Sequence, residues 1–177
     1  MKTLIIATVA VVTLAFAACG ENSIAKGAEK TIEGDLEKQI ALGKLTATCH
    51  EPPENAEGET FDCTATTTDG MTITFVGTLT KKDHFEVVTS NLLTVDDMQK
   101  LLPVVASSIS EQVGAAVAVE DLDCPDGNVV LDADGNFPCE VTDSATGDKY
   151  PLTIKTGGLE PGVGARDLGW EIGDKIN

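Results

Sequence analysis

Five cysteines carry the most definite chemistry in this 177-residue chain. Cys49 and Cys63 are 14 residues apart, and Cys124 and Cys139 are 15 apart. Thiols so widely spaced lack the Cys-x-x-Cys or Cys/His clustering that holds zinc, and the one histidine beside a cysteine, His50, is isolated. The near-equal spacings point to two disulfides, 49–63 and 124–139, each stapling its own segment. Closing a loop of about 15 residues contributes about 3 kcal/mol in the chain-entropy picture, a large share of a small domain's stability. Cys19 is left over, and an odd cysteine in an exported chain requires its own chemistry.

Little else has catalytic character. There are two histidines, His50 and His84, and no Gly-x-Ser-x-Gly, His-Glu-x-x-His, Gly-x-Gly-x-x-Gly or P-loop pattern. Ser107, Ser108 and Ser110 fall on the polar side of an expected helix. No catalytic residue, metal or cofactor is expected. Asp126-Gly-Asn128 and Asp132-Ala-Asp134-Gly135-Asn136 look like pieces of a calcium loop. The twelfth ligand of such a loop is a bidentate Glu. Counted from Asp132 that place falls on Asp143, one carbon shorter and at the end of an expected strand. Asp-Gly turns join strands without any ion.

The elements that position these residues occur twice. Gly58, Phe61 and Cys63 match Gly135, Phe137 and Cys139, each Phe standing two residues before its cysteine. Upstream, Ile32, Leu36 and Ile40 correspond to Val105, Ile109 and Val113 at a constant shift of 73, as does Gln39 to Gln112. Apolar residues four apart share one helix face. Downstream the period changes to that of strands rich in Thr, Val, Ile and Phe. The first set is 45–49, 61–67, 71–80 and 84–90, with Asp69-Gly70 as a hairpin turn. The second is 119–124, 138–143, 150–156 and 169–173, with Trp170-Glu-Ile the counterpart of Phe85-Glu-Val.

The expected fold is therefore α+β. Two tandem units, 23–93 and 94–177, each consist of one helix packed on a three- to four-stranded antiparallel sheet with one disulfide. The first helix is expected from Ser23–Lys26 to Gly43. The second has Thr94 as N-cap with Asp96 and Asp97 in its first turn. Pro103 lies inside its pattern, and an interior proline costs about 3 kcal/mol. A short helix over 95–101 and a main one from Pro103 to about Ala116 are expected.

At the N-terminus, Lys2 precedes an apolar run of 15 residues, Leu4–Ala18. The run is short for a bilayer span, which needs about 20 residues, and suits the core of a signal peptide over 1–18. Ala17-Ala18-Cys19-Gly20 resembles a bacterial lipobox, with Phe16 where Leu is usual. Lipid on Cys19, with 19–22 as a short tether, would use the odd thiol. Ordinary cleavage after Ala17 or Ala18 would instead release a secreted protein. Parity favours lipid, so the expected location is the cell membrane, facing the extracytoplasmic side.

The charge balance excludes one class of partner. There are 29 Asp plus Glu against 12 Lys plus Arg, and removing Lys2 with the export segment takes the net charge from −17 to −18. Such a surface repels nucleic acid. The stretch GGLEPGVGARDLG, 157–169, lengthens the last connection and carries Arg166, the chain's single arginine. Long loops on rigid scaffolds often bind, and a mobile hairpin tip is the alternative reading. Arg166, Asp167 and Trp170 are the candidate binding residues, and a loop of this kind would be dispensable for folding.

The run Cys124-Pro125-Asp126 to Gly135-Asn-Phe137-Pro-Cys139-Glu-Val141 resembles a family of Gram-positive cell-surface lipoproteins with a small two-cysteine domain of unassigned function. The copy over 31–90 keeps Gly58, Phe61 and Cys63, with His50 in the proline's place. The resemblance implies export and one disulfide per domain, and brings no catalytic residues. A weaker, architectural likeness is to the beta-lactamase inhibitor protein, with its two tandem helix-plus-sheet units. The expected function is a non-catalytic binding module for an extracytoplasmic protein or envelope ligand. The alternative is a secreted proteinaceous inhibitor of an exported hydrolase.

Overall fold

The computed structural model describes residues 23–160 and 164–176. The expected signal peptide over 1–18, the expected lipid site Cys19 and the expected tether over 19–22 lie outside them. The fold is mixed α+β with antiparallel sheets and two disulfides, Cys49–Cys63 and Cys124–Cys139. Among the described residues the chain divides into two compact units, 23–92 and 93–176.

The first unit opens where Ser23 caps helix α1 (Ile24–Thr31), its hydroxyl accepting the Lys26 N–H at 3.2 Å. A π-helical turn, Ile32–Leu36, follows, and α2 (Glu37–Ile40) completes the rod. Ile32, Leu36 and Ile40 are all buried, as their spacing predicts. The rod stops at Ile40, short of Gly43, because Ala41 turns left-handed at φ 53°.

Four strands follow in sequence order: β1 (Leu45–Cys49), β2 (Thr60–Thr67), β3 (Thr72–Lys81) and β4 (His84–Thr89). Cys49 stands directly opposite Cys63, so the disulfide clips β1 to β2. Gly70, at φ 83°, makes the expected Asp69-Gly70 turn. Strict alternation buries Phe61, Cys63, Ala65, Ile73, Phe75 and Leu79 on the helix side. The other face presents Thr46, Thr48, Thr64, Thr66 and Thr72 to water, in register across β1, β2 and β3. Threonine suits this place, since its branched carbon fits the pleat and its hydroxyl stays solvated.

The outer edge of β1 is covered by the helical rod. Leu45, Ala47 and Cys49 donate their backbone N–H groups to Glu37, Glu33 and Glu29, at 2.8, 2.8 and 3.2 Å. One glutamate every four helical residues advances about 6 Å. Alternate strand residues advance about 6.7 Å, so the two rows nearly match.

The chain enters the second unit through β5 (Leu92–Leu93), which pairs with β7 (Val129–Val130). Helix α3 (Val95–Val113) begins with a full capping box between Thr94 and Asp97. It runs unbroken through Pro103, contrary to the split expected there. Pro103 is exposed, while Met98, Val105, Ala106 and Ile109 on both sides of it enter one core, and that packing offsets the missing hydrogen bond. The helix ends at Val113, before Ala116, because Gly114 adopts φ 70°. Val113 is 50% exposed, so the apolar stripe holds at Val105 and Ile109 and fails at its third member.

The main sheet of this unit has the order β12 (Gly169–Ile172), β9 (Lys149–Lys155), β8 (Asn136–Thr142) and β6 (Leu122–Asp123). The strand expected over 119–124 is reduced to two residues. Val119–Asp121 forms a 3₁₀ turn instead, with the Asp121 carboxylate accepting the Ala118 N–H at 2.8 Å. Such a local bond competes with the ladder. The stretch between β9 and β12 contains a small ribbon, β10 (Leu159–Glu160) against β11 (Gly164–Ala165).

Candidate binding site

The three residues singled out near the long loop do not converge. Trp170 lies on β12 opposite Ile154, half-buried, and its indole N–H donates to Ser108 Oγ at 3.1 Å. That bond ties β12 to α3. Arg166 and Asp167 are exposed at the foot of the ribbon. Their backbone N–H groups donate to Gly158 O at 3.2 Å and Thr156 O at 3.1 Å. Thr156 is fully buried and donates to Gly135 O at 2.6 Å. A β-carbon on Gly135 would lie 2.5 Å from Gly158 N. The ribbon's foot is thus packed onto the Asp132–Gly135 turn.

The calcium-like fragment is that turn. Asp132 Oδ1 accepts from Asp134 N at 2.9 Å and Asn136 N at 2.8 Å, spending the carboxylate on its own backbone. Asp143 does the same beyond β8, accepting from Ala145 N and the Thr146 hydroxyl, both at 2.9 Å, which holds its carboxyl below the usual range. Among the described residues no three His, Cys, Asp or Glu side chains are grouped to hold a metal.

Ser107 is exposed as expected, and the other two α3 serines hold neighbouring segments. Ser108 anchors Trp170, and Ser110 Oγ donates to Ala106 O and accepts from Val117 N at 2.9 Å, pinning the chain after α3. His50 is exposed, and His84 has a buried Nδ1 without a hydrogen-bond partner.

What the second unit does assemble is a pair of apolar grooves beside α3. One, of about 360 Å³, lies between Val95, Met98, Gln99 and Leu102 on the helix and Val119, Leu122 and Cys124–Gly127 on the facing segment. The other, of about 270 Å³, lies at the far end of α3, between Ile109, Val113 and Ala115–Val117 and the strand residues Val141, Tyr150 and Ile172. Val95 at 43% and Val119 at 37% exposure border the first, and Val113 the second. These residues were not singled out from the sequence. The signal is the excess of apolar side chains on α3: residues 95, 98, 101, 102, 104, 105, 109 and 113 exceed one core-facing stripe.

No protein-family model matches the chain, and no curated protein or solved structure is detectably similar to it.

Proposed function

We propose that the chain is an exported lipoprotein, anchored through lipid on Cys19, whose two units are copies of one domain and serve as a non-catalytic binding module for a protein or envelope ligand at the cell surface. The observation that carries this reading is the cysteine pairing. Two disulfides, each closed within one unit, use four of the five thiols and leave Cys19 as the odd one, directly after the Ala-Ala of the lipobox-like run. The copy reading is supported by the common order of helix, first cysteine, second cysteine and antiparallel strands in both units. Binding is supported by apolar grooves whose linings lack histidine and free thiol.

The chain expressed in an exporting bacterium tests the anchor. Wild type should enter the detergent phase and carry lipid mass on its first peptide, and Cys19→Ala should stay aqueous. A wild-type chain without lipid mass would refute it. Immobilised chain incubated with envelope extract should retain a partner. Among secreted readings, an inhibitor of an exported hydrolase is favoured by the pinned ribbon foot that presents Arg166 and Asp167, and a retained hydrolase that loses activity would select it.

A further inference from the structure

We infer that the groove along the first half of α3 is the docking site for a basic, apolar-anchored segment of a partner protein. The inference rests on the binding-module reading and gives it a place and a chemistry. The groove, of about 360 Å³, lies wholly within the second unit, and its size falls in the range of about 300–1,000 Å³ usual for ligand sites. Val95 stands on its helix side and Val119 on its segment side, each more than a third exposed. Met98, Leu102 and Leu122 line it between them. An apolar cleft with apolar borders gains most from an apolar occupant.

Charge selects which occupant. The facing segment reads Val119-Glu-Asp-Leu122-Asp-Cys-Pro-Asp126, so its groove-lining apolar residues are interleaved with Glu120, Asp121, Asp123 and Asp126. Asp96 flanks the helix side. Neither the lining nor the segment contains Lys or Arg. Lys149 lies 3.9 Å from Asp123 in an exposed pair that neutralises little, and is held closer by Glu140 at 3.2 Å. A second copy of this chain, with formal charge −17, would meet this rim with like charge, as would an anionic membrane. Lys or Arg on either side of an aliphatic or aromatic anchor meets it with opposite charge.

The second groove does not share this chemistry. Its one carboxylate, Asp143, is taken up by Ala145 and Thr146, and nothing around it favours one occupant over another.

The test uses the full exported chain and short fluorescent peptides in three designs: a Leu-Phe-Leu centre with Lys flanks, the same centre with Glu flanks, and a Gly-Ser centre with Lys flanks. Anisotropy should show binding of the first alone, weakening as salt rises. The pair Val95→Ser and Val119→Ser removes the apolar borders. The set Glu120→Gln, Asp123→Asn and Asp126→Asn removes charge and spares Asp121, which caps the 3₁₀ turn. Each should weaken binding by about tenfold, while Val113→Ser in the other groove leaves it unchanged. Equal binding of the Glu-flanked or Gly-Ser peptide, no binding of the first peptide, or affinity unmoved by the border variants would overturn the assignment. The envelope partner separates this from the underlying reading: if wild type and the border variant retain it equally, the groove is wrong and the binding module stands. If wild type retains none, the binding module itself fails.

Discussion

Glu33, on the π-helical turn of the first unit, accepts the backbone N–H of Ala47 on edge strand β1 at 2.8 Å. It is the middle of three such bonds, with Glu29 to Cys49 and Glu37 to Leu45. In a regular α-helix, positions four apart rotate about 40° past a full turn, so three of them wind away from a straight strand. A π turn takes more residues per turn and holds the row back over β1. The edge that would otherwise template pairing with another chain is thereby occupied.

Removing the middle carboxylate leaves a strand N–H without its charged partner. Glu33→Ala should lower stability by about 1–3 kcal/mol, read as a fall in urea midpoint at unchanged slope, and Glu33→Gln should recover part of it. Replacing all three glutamates with alanine should add concentration-dependent association in sedimentation. A monomeric triple variant of wild-type stability would show that the row does not protect the edge.

Phe61 and Gly77 make a second tightly fitted pair. They are direct cross-strand partners, and the Phe61 ring lies over the glycine and edge-on to Phe85, with centroids 6.0 Å apart at 83°. A β-carbon on Gly77 would overlap the ring. Gly77→Ala should therefore cost about 1–3 kcal/mol through overpacking. Phe61→Leu in the same background should restore part of the loss, as a non-additive double-mutant cycle. Additive effects would mean that the ring can move aside freely.

Glu29 links this unit to pH. Lys26 Nζ lies 2.6 Å from its carboxylate and, with the Cys49 N–H, holds the Glu29 carboxyl below its ordinary value against a partly opposing desolvation. A carboxyl lowered in the folded state adds stability above its unfolded pKa, and that stability is lost as pH falls through the folded value. Lys26→Met should raise the Glu29 pKa in a carboxyl titration followed by NMR. The stability gap between wild type and Lys26→Met should be widest near neutrality and close in acid. A gap that widens on acidification would contradict the pairing.

The parts of the fold that were legible in the sequence are those set by local periodicity. Alternation placed β1 through β4 to within a residue or so, because one face of that sheet is buried and a slip would invert every side chain. The four-residue stripe placed Ile32, Leu36 and Ile40 in the core. What could not be read depends on tertiary packing. Pro103 breaks an isolated helix, but the core beneath Met98, Val105 and Ile109 keeps α3 helical through it. The 119–124 segment has strand composition, yet the Asp121 carboxylate captures the Ala118 N–H and curls it. The first groove follows from those two departures. A continuous α3 facing a curled segment leaves a cleft whose trace in the sequence is the surplus of apolar side chains on α3, while Arg166, Asp167 and Trp170 stand out by loop length and the single arginine rather than by geometry.

The long connection of the second unit separates the two ways of reading it. As a bare surface loop, 158–167 would be exchangeable for a short Gly-Asn turn at little expense, since loop length itself contributes only about 0.6 kcal/mol per doubling. The structure gives it more to hold. Thr156 is fully buried and donates to Gly135 O, Gly158 N donates back to the Thr156 hydroxyl at 3.3 Å, and Leu159 packs against the core. The replacement should lower stability by about 1–3 kcal/mol, within the range of a lost buried bond and its packing. Gly135→Ala should do at least as much alone, because Gly135 sits at φ 77° and a β-carbon would strike the Gly158 backbone. Arg166→Ala, at an exposed side chain, should change the unfolding free energy by no more than about 0.5 kcal/mol. An unchanged midpoint in the shortened variant would mean that the ribbon only rests on the unit, and that its foot is free to be rebuilt.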